Sequence, residues 1–156
     1  MLGLHRKNFE RTFTKYNCKI EHVGSTSIPG LSAKPIIDIA IGTNTTEEIF
    51  EVAKVLENAG YDMLDEFEKK GEILARKGTP ECRTHYVHIQ KIGSPYWNDF
   101  VYFKKYMLEH PNAVKEYENL KCELSIKFAN DRKSYTKSKH EFISGILEKA
   151  MKMYNL

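Results

Sequence analysis

The stretch His22-Val23-Gly24-Ser25-Thr26-Ser27-Ile28-Pro29-Gly30-Leu31-Ser32-Ala33-Lys34-Pro35-Ile36-Ile37-Asp38-Ile39-Ala40-Ile41 joins two strand-like runs through a turn punctuated by glycine and proline. Residues 19–23 read as a short strand entering Gly24-Ser25-Thr26-Ser27, and Pro35 opens the apolar run 36–41, a largely buried strand. Exposed backbone N–H and hydroxyl groups at Gly24, Ser25 and Thr26 suit a phosphate, although a plain strand-ending turn accounts for the same residues. Asp38 is the anomaly in the second run, because ionised carboxylates are rarely placed in buried strands without a partner or a metal. Alternation puts Ile37, Ile39 and Ile41 on one face and Ile36, Asp38 and Ala40 on the other, so Asp38 faces something other than the apolar core. The plainer alternative has it accepting hydrogen bonds from the Thr26-Ser27 turn.

Outward from this stretch, the periodicity changes character once. Phe9, Phe13 and Tyr16 predict a helix over residues 4–16. Thr45 and Glu48 form a capping box ahead of the stripe Ile49, Val52, Ala53 and Leu56, which ends at Gly60. Residues 61–67, 72–76 and 83–90 read as strands separated by turns. Beyond Gln90 three helices follow: one from Ser94-Pro95 with core residues from Trp97 to Leu108, one from Pro111 with Tyr117, Leu120, Leu124 and Phe128, and one from about Arg132. Strands first and helices later predict an α+β fold, a mixed β-sheet flanked by helices, in a single domain over residues 1–156.

Composition narrows the functional classes. A chain of 156 residues with 41% hydrophobic and 29% charged residues can bury a core. A net charge of +3 suits anionic small molecules or phosphates but falls short of a dedicated nucleic-acid surface. Cys18, Cys82 and Cys122 are odd in number and widely spaced, which argues against a zinc ribbon or disulfide framework and for a reducing compartment. Residues 1–16 lack the apolar core of a signal peptide, and no apolar run approaches the roughly 20 residues of a membrane span. The expectation is a soluble cytoplasmic protein that does not bind membranes.

The pattern Gly-Ser-Thr-Ser-x-Pro-Gly-Leu-x-Ala-Lys-Pro-x-x-Asp from Gly24 to Asp38 resembles the signature of the GrpB (UPF0157) family. The likeness continues in order through Arg83-Thr84-His85-Tyr86-Val87-His88, Glu116-Tyr117-Glu118-Asn119-Leu120-Lys121 and Tyr135-Thr136-Lys137-Ser138-Lys139-His140-Glu141-Phe142. That family is similar to polymerase-β-type nucleotidyltransferases, which use a Gly-Ser turn for nucleotide phosphates and an Asp-x-Asp strand for divalent metal. The resemblance implies a nucleotidyltransferase-like core with C-terminal helices, with Gly24, Ser25 and Asp38 at the corresponding positions and Mg²⁺ or Mn²⁺ as the cofactor. Two metals clamp the attacking and leaving oxygens in phosphoryl transfer, and carboxylates must hold them. Here the position two beyond Asp38 is Ala40, so the second carboxylate is missing.

A histidine on a neighbouring strand offers partial compensation. His88 shares a face with Tyr86, opposite Val87 and Ile89, and is the first candidate; His22, immediately before the turn, is the second. Tyr86 stands where the resemblance implies another histidine. Lys34 and Arg83 are candidate phosphate cations, and Lys139 sits on an otherwise apolar helical stripe, from which it can reach a cleft. Two functions follow. One is an enzyme binding a nucleotide or other phosphorylated small molecule and transferring a nucleotidyl group. The other is a non-catalytic accessory or folding module, as the resemblance to domains fused to dephospho-CoA kinases implies, acting on a separate protein partner.

Overall fold

A computed structural model describes Arg11 and residues 13–156. The helix expected over residues 4–16 falls largely outside that range; within it, Phe13 is buried and a single 3₁₀ turn spans Thr14–Tyr16. The strands are β1 (Lys19–Val23), β2 (Ile37–Thr43), β3 (Asp62–Glu66), β4 (Glu72–Thr79) and β5 (Cys82–Lys91). The helices are α1 (Thr46–Asn58), the single turn α2 (Phe67–Lys70), α3 (Pro95–Glu109), α4 (Pro111–Lys127) and α5 (Arg132–Tyr154). The strands form one sheet in the order β1-β2-β5-β4-β3, with β2 and β5 parallel and the other pairs antiparallel. The fold is α+β with a mixed sheet, as the sequence predicts.

Alternation along the strands divides the sheet into two chemically different faces. Ile20, Ile39, Ile41, Ile73, Ala75, Val87 and Ile89 pack against Ile49, Val52, Ala53 and Leu56 of α1. The capping box that starts α1 is formed in both directions, between Thr45 and Glu48. On the opposite face, Val23 and Ala40 pack under Trp97 of α3. Gly42 makes that approach possible, since a Cβ there would lie 2.8 Å from the Trp97 ring. A further cluster joins Ile28 to Met107, Tyr117 and Ile146, fixing the turn after β1 to the C-terminal helices.

Two expectations need adjusting. The β4–β5 pairing runs to the hairpin tip, past the residues 76 and 83 where the sequence pattern stops. A bulge between Lys77 and Gly78 carries it there, with Gly78 at φ +91° and its carbonyl accepting from Arg83 Nη1 at 2.9 Å. Leu108, expected in the core, is 51% exposed at the end of α3.

Candidate active-site face

Asp38 and the turn after β1 are in direct contact. Gly24 has φ +72° and ψ −174°, a backbone region that only glycine occupies readily. A Cβ at this position would fall 2.7 Å from Asp38 Oδ2. The turn closes on itself, with Ser27 N and Oγ both donating to the Gly24 carbonyl, at 3.1 and 2.6 Å. The Ser25 side chain is hydrogen-bonded to the Tyr117 hydroxyl, and the Thr26 hydroxyl lies 2.9 Å from His22 Nε2. Ser25 and Thr26 therefore have protein partners, though a hydroxyl can support more than one hydrogen bond.

His88 reaches the same carboxylate from β5. Its Nε2 is 3.4 Å from Asp38 Oδ1, and its Nδ1 is 3.2 Å from Glu72 Oε2, the first residue of β4. Glu72 is only 4% exposed and also accepts from Gln90 Nε2 at 2.6 Å. Burial pulls the His88 pKa down, but the hydrogen bonds and charges of Asp38 and Glu72 outweigh it and carry the group up to about 9. Burial raises the Glu72 pKa, while hydrogen bonding to the imidazolium and to Gln90 pulls it below the usual carboxylate value. His88 is therefore a resident cation between two acids, and Phe100 of α3 packs on its ring at a centroid distance of 4.6 Å.

The remaining candidates separate. Lys139 on α5 is brought to this face: burial lowers its pKa, Asp38 opposes that, and the charges of Lys34 and Arg132 add to the lowering. Lys121 of α4 also feels the charge of Lys139 and is tied to the Ser32 carbonyl. Lys34 is exposed on the loop before β2. Arg83 is turned away from Asp38: its Nη2 lies 3.2 Å from Asp62 Oδ2 on edge strand β3, an acid shared with Arg76 at 2.7 Å. His22 pairs with Ile39 in the ladder, out of step with Asp38, and its carbonyl accepts from Lys104 Nζ at 2.7 Å. Burial and Lys104 lower the His22 pKa.

The donor set does not fit a two-metal centre. The position of the second carboxylate is Ala40, fully buried beneath Trp97 and Val23, so that space is already filled. Asp38 Oδ1 already faces His88 Nε2 at 3.4 Å. Among the described residues no group of three or more His, Cys, Asp or Glu side chains is arranged to hold a metal ion. No helix among them is long and apolar enough to cross a membrane.

Sequence reasoning missed Glu72, Tyr117 and Trp97 as parts of this face. A strand-opening glutamate beside Ile73 is a weak signal by itself, and the other two sit on stripes that read as ordinary core.

A parallel β2–β5 pair that presents a carboxylate against a glycine turn, with α3 packed on that face, defines the class: an α+β domain with a mixed sheet and C-terminal helices. Residues 4–149 match the family described as GrpB protein. The chain belongs to the GrpB family. Glutamate-rich protein GrpB of Alkalihalophilus pseudofirmus is 33% identical over 94% of this chain and 93% of its own length. A UPF0157 protein of Bacillus subtilis is 35% identical over 84% of this chain, which spans only 38% of that relative. The crystal structure of conserved protein GrpB from Enterococcus faecalis is similar with a TM-score of 0.80 and 32% identity, covering 97% of this chain and 93% of that one.

Proposed function

We propose that this protein binds a phosphorylated small molecule, with a nucleotide as the first candidate, over the Gly24-Ser25-Thr26 turn and Asp38. The supporting observation is the gathering of Lys34, Lys121 and Arg132 around Lys139, which itself faces Asp38, a carboxylate already in contact with His88. Lys139 is half-buried among cations with Asp38 as its balancing charge, and phosphate oxygens supply further negative charge to this cluster. Lys139 and Lys34 hold the phosphates in this reading. The backbone of Gly24, Ser25 and Thr26 fixes their position. Any Mg²⁺ or Mn²⁺ would enter with the nucleotide and share its phosphates with Asp38.

The buried Ala40 favours binding without nucleotidyl transfer. That makes a ligand-binding module acting with a separate protein partner the better reading than a transferase. The test is a thermal-shift titration with ATP and with inorganic tripolyphosphate, each with and without Mg²⁺ or Mn²⁺. Saturation near one hundred times Kd should raise Tm by about 8 °C, and Lys139→Met should remove the rise. No shift with any combination overturns the proposal.

A further inference from the structure

The face carrying Asp38 continues sideways in two rows of side chains fixed by strand register. One row reads Asp38, Tyr86, Arg76, Asp62, and the next reads Ala40, His88, Leu74, Leu64. Of the C-terminal helices it is α3 that packs on the sheet, over β1, β2 and β5, and this side of β4 and β3 lies beyond those contacts. Leu64 is 36% exposed, while Tyr86 and Leu74 are half-buried. The result is a small apolar shelf next to the anion site, bounded by Phe100 on His88 at one side and by the Arg76–Asp62 ion pair at the end of the Asp38 row.

We infer that Tyr86, Leu74 and Leu64 form a second subsite that receives the planar ring of the ligand whose phosphates lie at Lys139. This rests on the phosphate-binding reading above and narrows it to nucleotides over simple phosphates or phosphosugars. Tyr86 is the direct cross-strand neighbour of Asp38, Leu74 lies one strand further in the next row and Leu64 one strand beyond that, so at about 5 Å per strand the shelf begins about 5 Å from Asp38 and ends about 15 Å from it. A sugar bridges that interval, leaving a heterocycle over the aromatic and aliphatic side chains, which are indifferent to base identity. One tyrosine and two leucines offer far less than the roughly 800 Å² per partner of a stable protein interface, so a ring fits this patch and a protein does not.

Isothermal titration of ATP and of inorganic tripolyphosphate against wild type, Tyr86→Ala and Leu64→Ala tests it. The wild type should bind ATP at least about tenfold tighter than tripolyphosphate, in line with the contribution of one stacked base. Tyr86→Ala should bring the two ligands to within about twofold of each other while leaving tripolyphosphate affinity unchanged. Leu64→Ala, at an exposed edge where folding is safe, should narrow the gap several-fold. Equal wild-type binding of the two ligands overturns the shelf and leaves the phosphate site standing. An ATP preference that survives in both variants also overturns it, and absence of binding by either ligand overturns both proposals.

Discussion

Glu72 and His88 are joined across the β4–β5 ladder, Oε2 to Nδ1 at 3.2 Å, with the glutamate side chain only 5% exposed. The pair makes stability depend on pH in a defined direction. His88 is raised from 6.5 in the unfolded chain to about 9, so its contribution is fully present below 6.5 and lost as pH rises through about 9. Glu72 is depressed below 4.5, so its contribution is present above that value and lost as pH falls through the lower folded-state pKa. Both are in force between 4.5 and 6.5, and because they describe one coupled interaction they count once. Urea unfolding should show a loss of about 3 kcal/mol between pH 6.5 and 9.5, absent in His88→Gln. The same slope in the variant would contradict the assignment.

Gly24→Ala should destabilise the protein by about 2–4 kcal/mol, combining an unfavourable backbone conformation with a collision at Asp38. Placing it in an Asp38→Gly background should recover the collision part alone. A double-mutant cycle in chemical denaturation reads the difference, and strict additivity would mean the two residues do not touch.

Tyr117 connects α4 to the turn after β1. Burial pushes its pKa up to about 12 despite the hydrogen bond to Ser25, and its ring stacks on Phe142 at 4.9 Å. Tyr117→Phe keeps the stack and removes the hydroxyl, so it should cost about 1 kcal/mol. Ser25→Ala should cost a similar amount, and the double variant should cost clearly less than the sum. Full additivity in denaturant midpoints would break this link.

Ala40→Asp restores the acidic pattern seen in metal-dependent transferases, but in this fold it should fail to create a metal site. Its carboxylate would be forced into the filled space under Trp97, beside a His88 already shared by Asp38 and Glu72, so stability should fall by about 1–3 kcal/mol with no Mn²⁺ binding gained. A well-folded variant that binds Mn²⁺ in calorimetry would contradict the account.

Local pattern revealed much of this architecture, and tertiary register supplied the rest. Alternation alone put Asp38 and Ala40 on one face, and His88 and Tyr86 together on another strand, because one buried face forces a period of two. The Thr45–Glu48 cap and the prolines opening α3 and α4 marked helix starts for the same local reason. Which strands stand side by side was not legible, so Glu72 could not be placed next to His88 before the sheet order was known. Lys139 stood out as a charge on an apolar stripe, yet its neighbour Asp38 lies far away in sequence. Arg83 looked available for phosphate because nothing near it in sequence announces Asp62.

Ligand binding at this face is decided by a crystal structure of the protein with ATP, taken at a concentration where titration shows saturation. A phosphate should lie within hydrogen-bonding distance of Lys139 Nζ and of the Gly24-Ser25-Thr26 turn, with the base over Tyr86 and Leu74. Phosphates bound elsewhere, such as in the cavity of about 620 Å³ lined by Ile28, Met107 and Val114, would contradict it.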